Sequence, residues 1–244
     1  MKKVAIIQSN YIPWKGYFDI IHDVDLFVFL DDVQYTVRDW RNRNKIKTAQ
    51  GLRWLTVPVG SDRDRLIYEA QIVDPNWARS HWEMLRQNYS KTPHFKTYKD
   101  CFEQFYLGRE WCNLSDMNQH LIRMISRDIL GLKTEFKDSR EFNAQGHKLD
   151  RLLDLLVKTG AGYYLSGPSA MDYIEPSRLA EVGIELHYKD YAGYPEYPQL
   201  FPPFDHGVSV LDLLFNCGPD APFFIWGWRA SVTMVAGEHL LVNE

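Results

Sequence analysis

The chain has 244 residues, 45% of them hydrophobic, and a formal net charge of -4, enough to bury a core in one large domain or two small ones. The acidic balance excludes broad electrostatic attraction to nucleic acid or anionic lipid, so any phosphate has to be met by a local basic cluster. No segment approaches the ~18 consecutive apolar residues of a membrane span, so no membrane insertion is expected.

Val4 to Ile7 is a continuous apolar run of the kind buried on both faces of a sheet. The loop Gln8 to Tyr17 follows, then a short helix over Gly16 to His22 and a second apolar run, Leu26 to Leu30, ending on Asp31-Asp32-Val33-Gln34. This is a β-α-β start. Pro13 biases Ile12 away from the helical region and stiffens the loop. Arg53 to Val59 reads as a third strand, with Gln50-Gly51 as a turn before it and Pro58 marking an edge or end. From Asn76 to Asp138 the pattern is helical and rich in aromatics. Its clearest helix runs from Ser115, as N-cap, to Gly131. Another fits Lys148 to Thr159, with Leu149, Leu152, Leu153 and Leu156 on one face and Gly160 ending it. Strands then fit Gly162 to Ser166 and Ile184 to Tyr188, with a helix near Glu175 to Val182 between them. Tyr191 to Pro203 is dense in proline and aromatics and reads as an irregular loop. Ser209 caps a helix through Phe215, and Trp226 to Val242 is compatible with helix. The expected fold is α/β, a Rossmann-like, mostly parallel sheet formed by residues 1–75 and 160–244, with 76–159 as a helical insertion packed on it.

Ligand crevices of such sheets lie beyond the carboxyl ends of the strands, which directs attention to the first forty-five residues. Asp31 and Asp32 are adjacent carboxylates at a strand end. Their burial without a partner would raise a pKa or require a cation, so either could serve as catalytic base; no metal site is expected unless this pair forms it. Strand alternation sends neighbouring side chains to opposite faces, so one of the two can face the crevice while the other caps a turn or pairs with Arg or Lys. Arg41 and Arg43, with Asn44 nearby, could clamp a diphosphate or form a ribbon with arginines on one face and amides on the other. Tyr11, Trp14 and Tyr17 could face a sugar or nucleobase, and Gln8 and Gln34 follow strand ends where an amide needs partners. His81, on a helix, is a candidate base. Ser166, Gly167 and Ser169 could bind phosphate or a sugar hydroxyl, and Asp212 and Asn216 share a polar helical stripe with Ser209.

The chain contains no dinucleotide fingerprint, P-loop, nucleophile elbow or paired Cys-x-x-Cys. Its three cysteines, Cys101, Cys112 and Cys217, have no metal-ligand spacing and suit a reducing compartment, so a cytoplasmic location is expected.

The segments Gln8 to Tyr17, Asp31 to Gln34, Arg41 to Lys45, Trp54 to Pro58, Tyr164 to Ser169, Tyr197 to Gln199 and Ser209 to Asn216 resemble the WbqC family of bacterial proteins. That resemblance implies a place in polysaccharide and O-antigen (lipopolysaccharide) gene clusters, with a nucleotide-linked amino sugar as partner and an acyl or aminoacyl (glycyl) donor in the cofactor role. The early strand, loop and helix also resemble nucleotidylyltransferase-like domains, although the paired histidines around the glycine are replaced by Trp14, Lys15 and Tyr17. Three readings stay open. The first is a transferase acting on the sugar amine, with Gln199 also in the substrate site; the second is an ATP- and Mg-dependent ligase or nucleotidyltransferase; the third is a non-catalytic nucleotide-sugar or protein-binding module.

Overall fold

The computed structural model describes residues 1–230, so most of the helix-compatible stretch from Trp226 to Val242 lies outside the described residues. Among the described residues, seven strands form two sheets. Five are parallel: β1 (Lys3–Ile7), β2 (Leu26–Phe29), β5 (Glu135–Asp138), β6 (Tyr163–Ser166) and β7 (Glu185–Tyr188), in the spatial order β5-β2-β1-β6-β7. The chain winds outward from β1 through β2 to β5, then returns to β6 beside β1 and continues to β7. This is the doubly wound, Rossmann-like arrangement, and its switch point lies between β1 and β6.

Alternation along the central strands builds a core on each face. Ala5, Phe27 and Phe29 face a large cluster shared with α1 (Lys15–His22), α2 (Trp77–Tyr89), α3 (Phe95–Leu107), α4 (Leu114–Met124) and α7 (Val210–Cys217). Val4, Ile6, Leu26 and Val28 face a smaller one with α5 (Lys148–Thr159) and α6 (Pro176–Glu181). Burial on both faces is why β1 and β2 read as unbroken apolar runs.

Two strands differ from the sequence pattern. The expected third strand is β4 (Gly51–Thr56), which pairs antiparallel with β3 (Arg43–Thr48) in a separate hairpin. β5 falls inside the stretch that reads as helical and pairs with β2. It is an edge strand with one fully apolar residue, Phe136, so hydrophobic periodicity hardly marks it. At the start of α4 the capping residue is Asn113, whose side chain accepts from Asp116 N, and not Ser115. Between β7 and α7 the chain is irregular, as its proline content implies.

Candidate functional site

At the switch point a crevice of about 690 Å³ opens on the α5 side of the sheet. Ile6 lines it from β1 and Gln8 from just beyond that strand, Tyr164 from β6, and Leu30 and Val33 from beyond β2. Lys148, Arg151, Leu152 and Leu155 line it from α5, and Tyr173 and Glu175 complete the wall. Its volume lies within the range typical of small-molecule sites, roughly 300–1,000 Å³.

The two adjacent carboxylates reach different elements. Asp31 is fully buried: Oδ1 accepts from Ser9 N at 2.8 Å, and Oδ2 accepts from Gln119 Nε2 at 3.1 Å and from the Ser115 hydroxyl on α4. Gln119 also donates to Asp138 at the end of β5, so the amide bridges two strand ends. Asp32 belongs to the crevice side, where it accepts from Ser139 Oγ at 2.6 Å and forms an ion pair with Arg151 of α5. Each carboxylate therefore already has its own donors, and the two do not converge on a common point.

His81 stands in the packed interior. Its ring donates to the Thr56 carbonyl, and Nδ1 lies 2.8 Å from the Tyr11 hydroxyl, which also meets the Tyr106 hydroxyl at 2.8 Å. Burial lowers its pKa to about 4, so the imidazole is neutral at physiological pH. Tyr11 is wholly buried in this chain, and Tyr17, also buried, donates to Gln8 O at 3.0 Å. These two rings pack the loop from inside.

Asn44 braces the same loop by donating to the Ile12 carbonyl at 2.9 Å. Ile12 has φ +36, outside the helical region and uncommon for a β-branched residue, so the brace holds a strained turn. Trp14 and Asn44 line a smaller cavity of about 220 Å³ with Asn10, Pro13, Trp40 and Gly207. Arg41 donates to the Asn10 side chain and stays beside that loop. Arg43 lines a third cavity, with its guanidinium 4.3 Å from the Trp54 ring centre. Residues 41–44, which lead into β3, alternate in burial: Asn42 and Asn44 are buried, whereas Arg41 and Arg43 are half-buried. Gln34 is exposed and donates to the Arg63 carbonyl.

Ser166 is buried at the end of β6 and hydrogen-bonded to Tyr164; Gly167 and the exposed Ser169 follow it. Asp212, Gln199 and Asn216 belong to a separate polar knot. Asp212 accepts from Tyr89 at 3.0 Å, Tyr197 at 2.9 Å and Gln199 Nε2 at 2.9 Å, while Gln199 Oε1 accepts from Lys47 at 2.8 Å. Asn216 donates back to the Asp212 carbonyl. This knot fastens the irregular 190–209 segment to α2, α7 and β3.

Of the residues expected at the site, Gln8 lines the crevice and Asp32 reaches it through Arg151. Sequence reasoning passed over Lys148 and Arg151, although both lie on the α5 stripe completed by Leu152 and Leu155 at helical spacing. It also passed over Lys15, a lysine only 2% exposed at the start of α1, with Nζ 4.7 Å from the Tyr194 ring centre and 5.3 Å from that of Tyr197. Among the described residues Asp19, His22 and Asp23 could together approach a cation. Lys189 and Arg229 already pair with Asp19, and Lys189 with Asp23.

The WbqC-like protein family model matches residues 8–223. A protein of Mycobacterium tuberculosis (strain ATCC 25618 / H37Rv), described as "Uncharacterized protein Rv1507c", is 46% identical over 228 residues, covering 92% of this chain and 98% of that protein. No solved structure matches.

Proposed function

The chain belongs to the WbqC-like protein family, and from that premise we propose that it is a transferase of bacterial surface-polysaccharide biosynthesis. It holds a nucleotide-linked amino sugar in the switch-point crevice and passes an acyl or aminoacyl group to the sugar's amine. The observation that carries this reading is the crevice itself: one cavity at the switch point of a doubly wound sheet, of small-molecule size, bringing together Gln8, Lys148, Tyr173 and the Asp32–Arg151 pair.

In this reading Lys148 and Arg151 face the phosphates, Gln8 orients the sugar, and Tyr173, 64% exposed, offers a ring to the base. The amine nitrogen attacks the donor's carbonyl carbon. A C–N bond forms, the bond from that carbon to the donor's leaving group breaks, and the amine proton passes to the Asp32 carboxylate. Among the carboxylate and imidazole candidates Asp32 suits this role best, because Asp31 is enclosed by three donors and His81 is neutral and engaged with Tyr11.

The test is Asp32→Asn, assayed for amide formation from a sugar nucleotide amine and an activated acyl or glycyl donor, with thermal shift against the sugar nucleotide alongside. Retained nucleotide-sugar binding with amide formation lowered by about 10²-fold or more is expected. Full activity in that variant, or no stabilisation of the wild-type chain by any nucleotide sugar, overturns the reading.

A further inference from the structure

We propose that the cavity beside the β3–β4 hairpin is a second ligand site, for a small phosphorylated sugar or polyol. It has a volume of about 350 Å³, and Arg38, Arg43 and Arg63 line it with Asn42, Thr56 and Ser61. A volume near the lower end of the small-molecule range suits a sugar phosphate better than a complete nucleotide sugar.

Three guanidiniums around one cavity repel one another unless an anion joins them. Among the described residues none of the three lies within ion-pair distance of a carboxylate, although Asp39, Asp62 and Asp64 are close in sequence. Asp39 is engaged with Trp40 N at 2.7 Å and Arg41 at 3.7 Å, and Asp62 with Asp64 N at 2.9 Å. Arg43 is fixed in place: it donates to the Arg38 carbonyl and stacks on Trp54, while its buried Nε finds no acceptor. Planar donor forks without protein carboxylates are the arrangement that binds phosphate oxygens bidentately.

Asn42 supplies an independent observation. It is only 7% exposed and lines the cavity; its Nδ2 donates to Val57 O at 2.9 Å, yet its buried Oδ1 has no donor. A buried acceptor without a partner is unfavourable, and a turn of this amide toward the cavity would offer it to a ligand's hydrogen. An ammonium would be repelled by the surrounding arginines, so the matching donor is a hydroxyl. Phosphate for the arginines and a hydroxyl for Asn42 together define a phosphorylated sugar or polyol. The site stands apart from the switch-point crevice and does not depend on what binds there.

Isothermal titration of the full chain at low ionic strength, with glucose 1-phosphate, inorganic phosphate and glucose as probes, tests the proposal. Glucose 1-phosphate should bind at least tenfold more tightly than either fragment. The double variant Arg38→Gln/Arg63→Gln, whose side chains are exposed and whose folding is therefore expected to be preserved, should lose at least tenfold in affinity. Arg151→Gln at the crevice should leave that affinity unchanged. Wild-type affinity in the double variant, inorganic phosphate binding as tightly as glucose 1-phosphate, or no heat at millimolar glucose 1-phosphate overturns it.

Discussion

Arg151 on α5 and Asp32 beyond β2, 119 positions apart in the chain, meet as an ion pair, and Ser139 at the end of β5 donates to the same carboxylate at 2.6 Å. One side chain thus ties a crossover helix to two strand ends. Because the pair is mostly shielded from solvent, with side-chain exposures of 26% and 11%, it should be coupled more strongly than a surface pair. A double-mutant cycle of Asp32→Asn and Arg151→Gln, read by urea denaturation, should give a coupling of about 1–2 kcal/mol. A coupling near zero would show the pair to be incidental.

The Tyr106–Tyr11–His81 chain makes stability depend on pH. With a folded-state pKa of about 4 against an ordinary 6.5, His81 binds its proton more readily in the unfolded chain. Its contribution is therefore present above pH 6.5 and lost as pH falls toward 4. Between pH 7 and pH 5 this one group should remove about 2 kcal/mol of unfolding free energy. His81→Gln should be less stable at pH 7, and its pH 7 to 5 decline should be shallower by about that amount in denaturation curves at the two pH values.

Lys15 should be a net burden. Burial lowers its pKa from about 10.5 to about 8, so the folded chain keeps that proton less well than the unfolded one. The burden is full below pH 8 and is relieved as pH rises from 8 toward 10.5. Lys15→Met keeps the length and removes the charge. It should raise stability at pH 7 by about 1–2 kcal/mol, after allowance for residual solvation and for the lost contacts with the Tyr194 and Tyr197 rings. The gain should shrink at pH 10. A variant less stable than wild type at pH 7 would show that those ring contacts outweigh desolvation.

Asp212 depends on its three donors because burial pushes its carboxyl pKa up. Tyr197→Phe removes one donor and should cost about 1–2 kcal/mol at pH 7. The cost should fall on acidification, because the carboxylate that needs the donor takes up a proton. Combined with Gln199→Leu, which removes another donor to the same carboxylate, the losses should be non-additive. Equal costs at pH 7 and pH 4.5 would contradict this account.

The central strands, α1, α5 and α7 were legible because burial on two faces, helical apolar spacing and end residues all agree there. Gly160 ends α5 at φ +71, and Ser209 accepts from Leu211 N at 3.2 Å. β5 was hidden because Glu135-Phe-Lys-Asp138 is a sheet edge with too little apolar pattern to register. β3 was only half legible: the alternation of arginines and amides over residues 41–44 suits a ribbon, but Arg43, Lys45 and Lys47 also read as a basic cluster in a loop. At the candidate site, alternation separated Asp31 from Asp32, but their partners come from α4, α5 and the end of β5, and no local pattern announces such long-range pairings. Arg151 was lost among the leucines of an amphipathic helix.

The segment Asp31 to Tyr35 is a party wall: Val33 lines the crevice and Tyr35 lines the arginine cavity. Its backbone is laddered to residues 65–68, with Tyr35 N donating to Arg65 O at 2.9 Å, Ile67 N to Val33 O at 3.0 Å and Tyr68 N to Asp31 O at 2.9 Å. A partition pinned at three amides has one position, and a ligand can influence its neighbour only by moving it. Occupancy of the two rooms should therefore be independent, with saturation of one leaving the affinity of the other unchanged. Any cooperativity found would locate a second position of this wall, and linkage requires it to be equal in both directions.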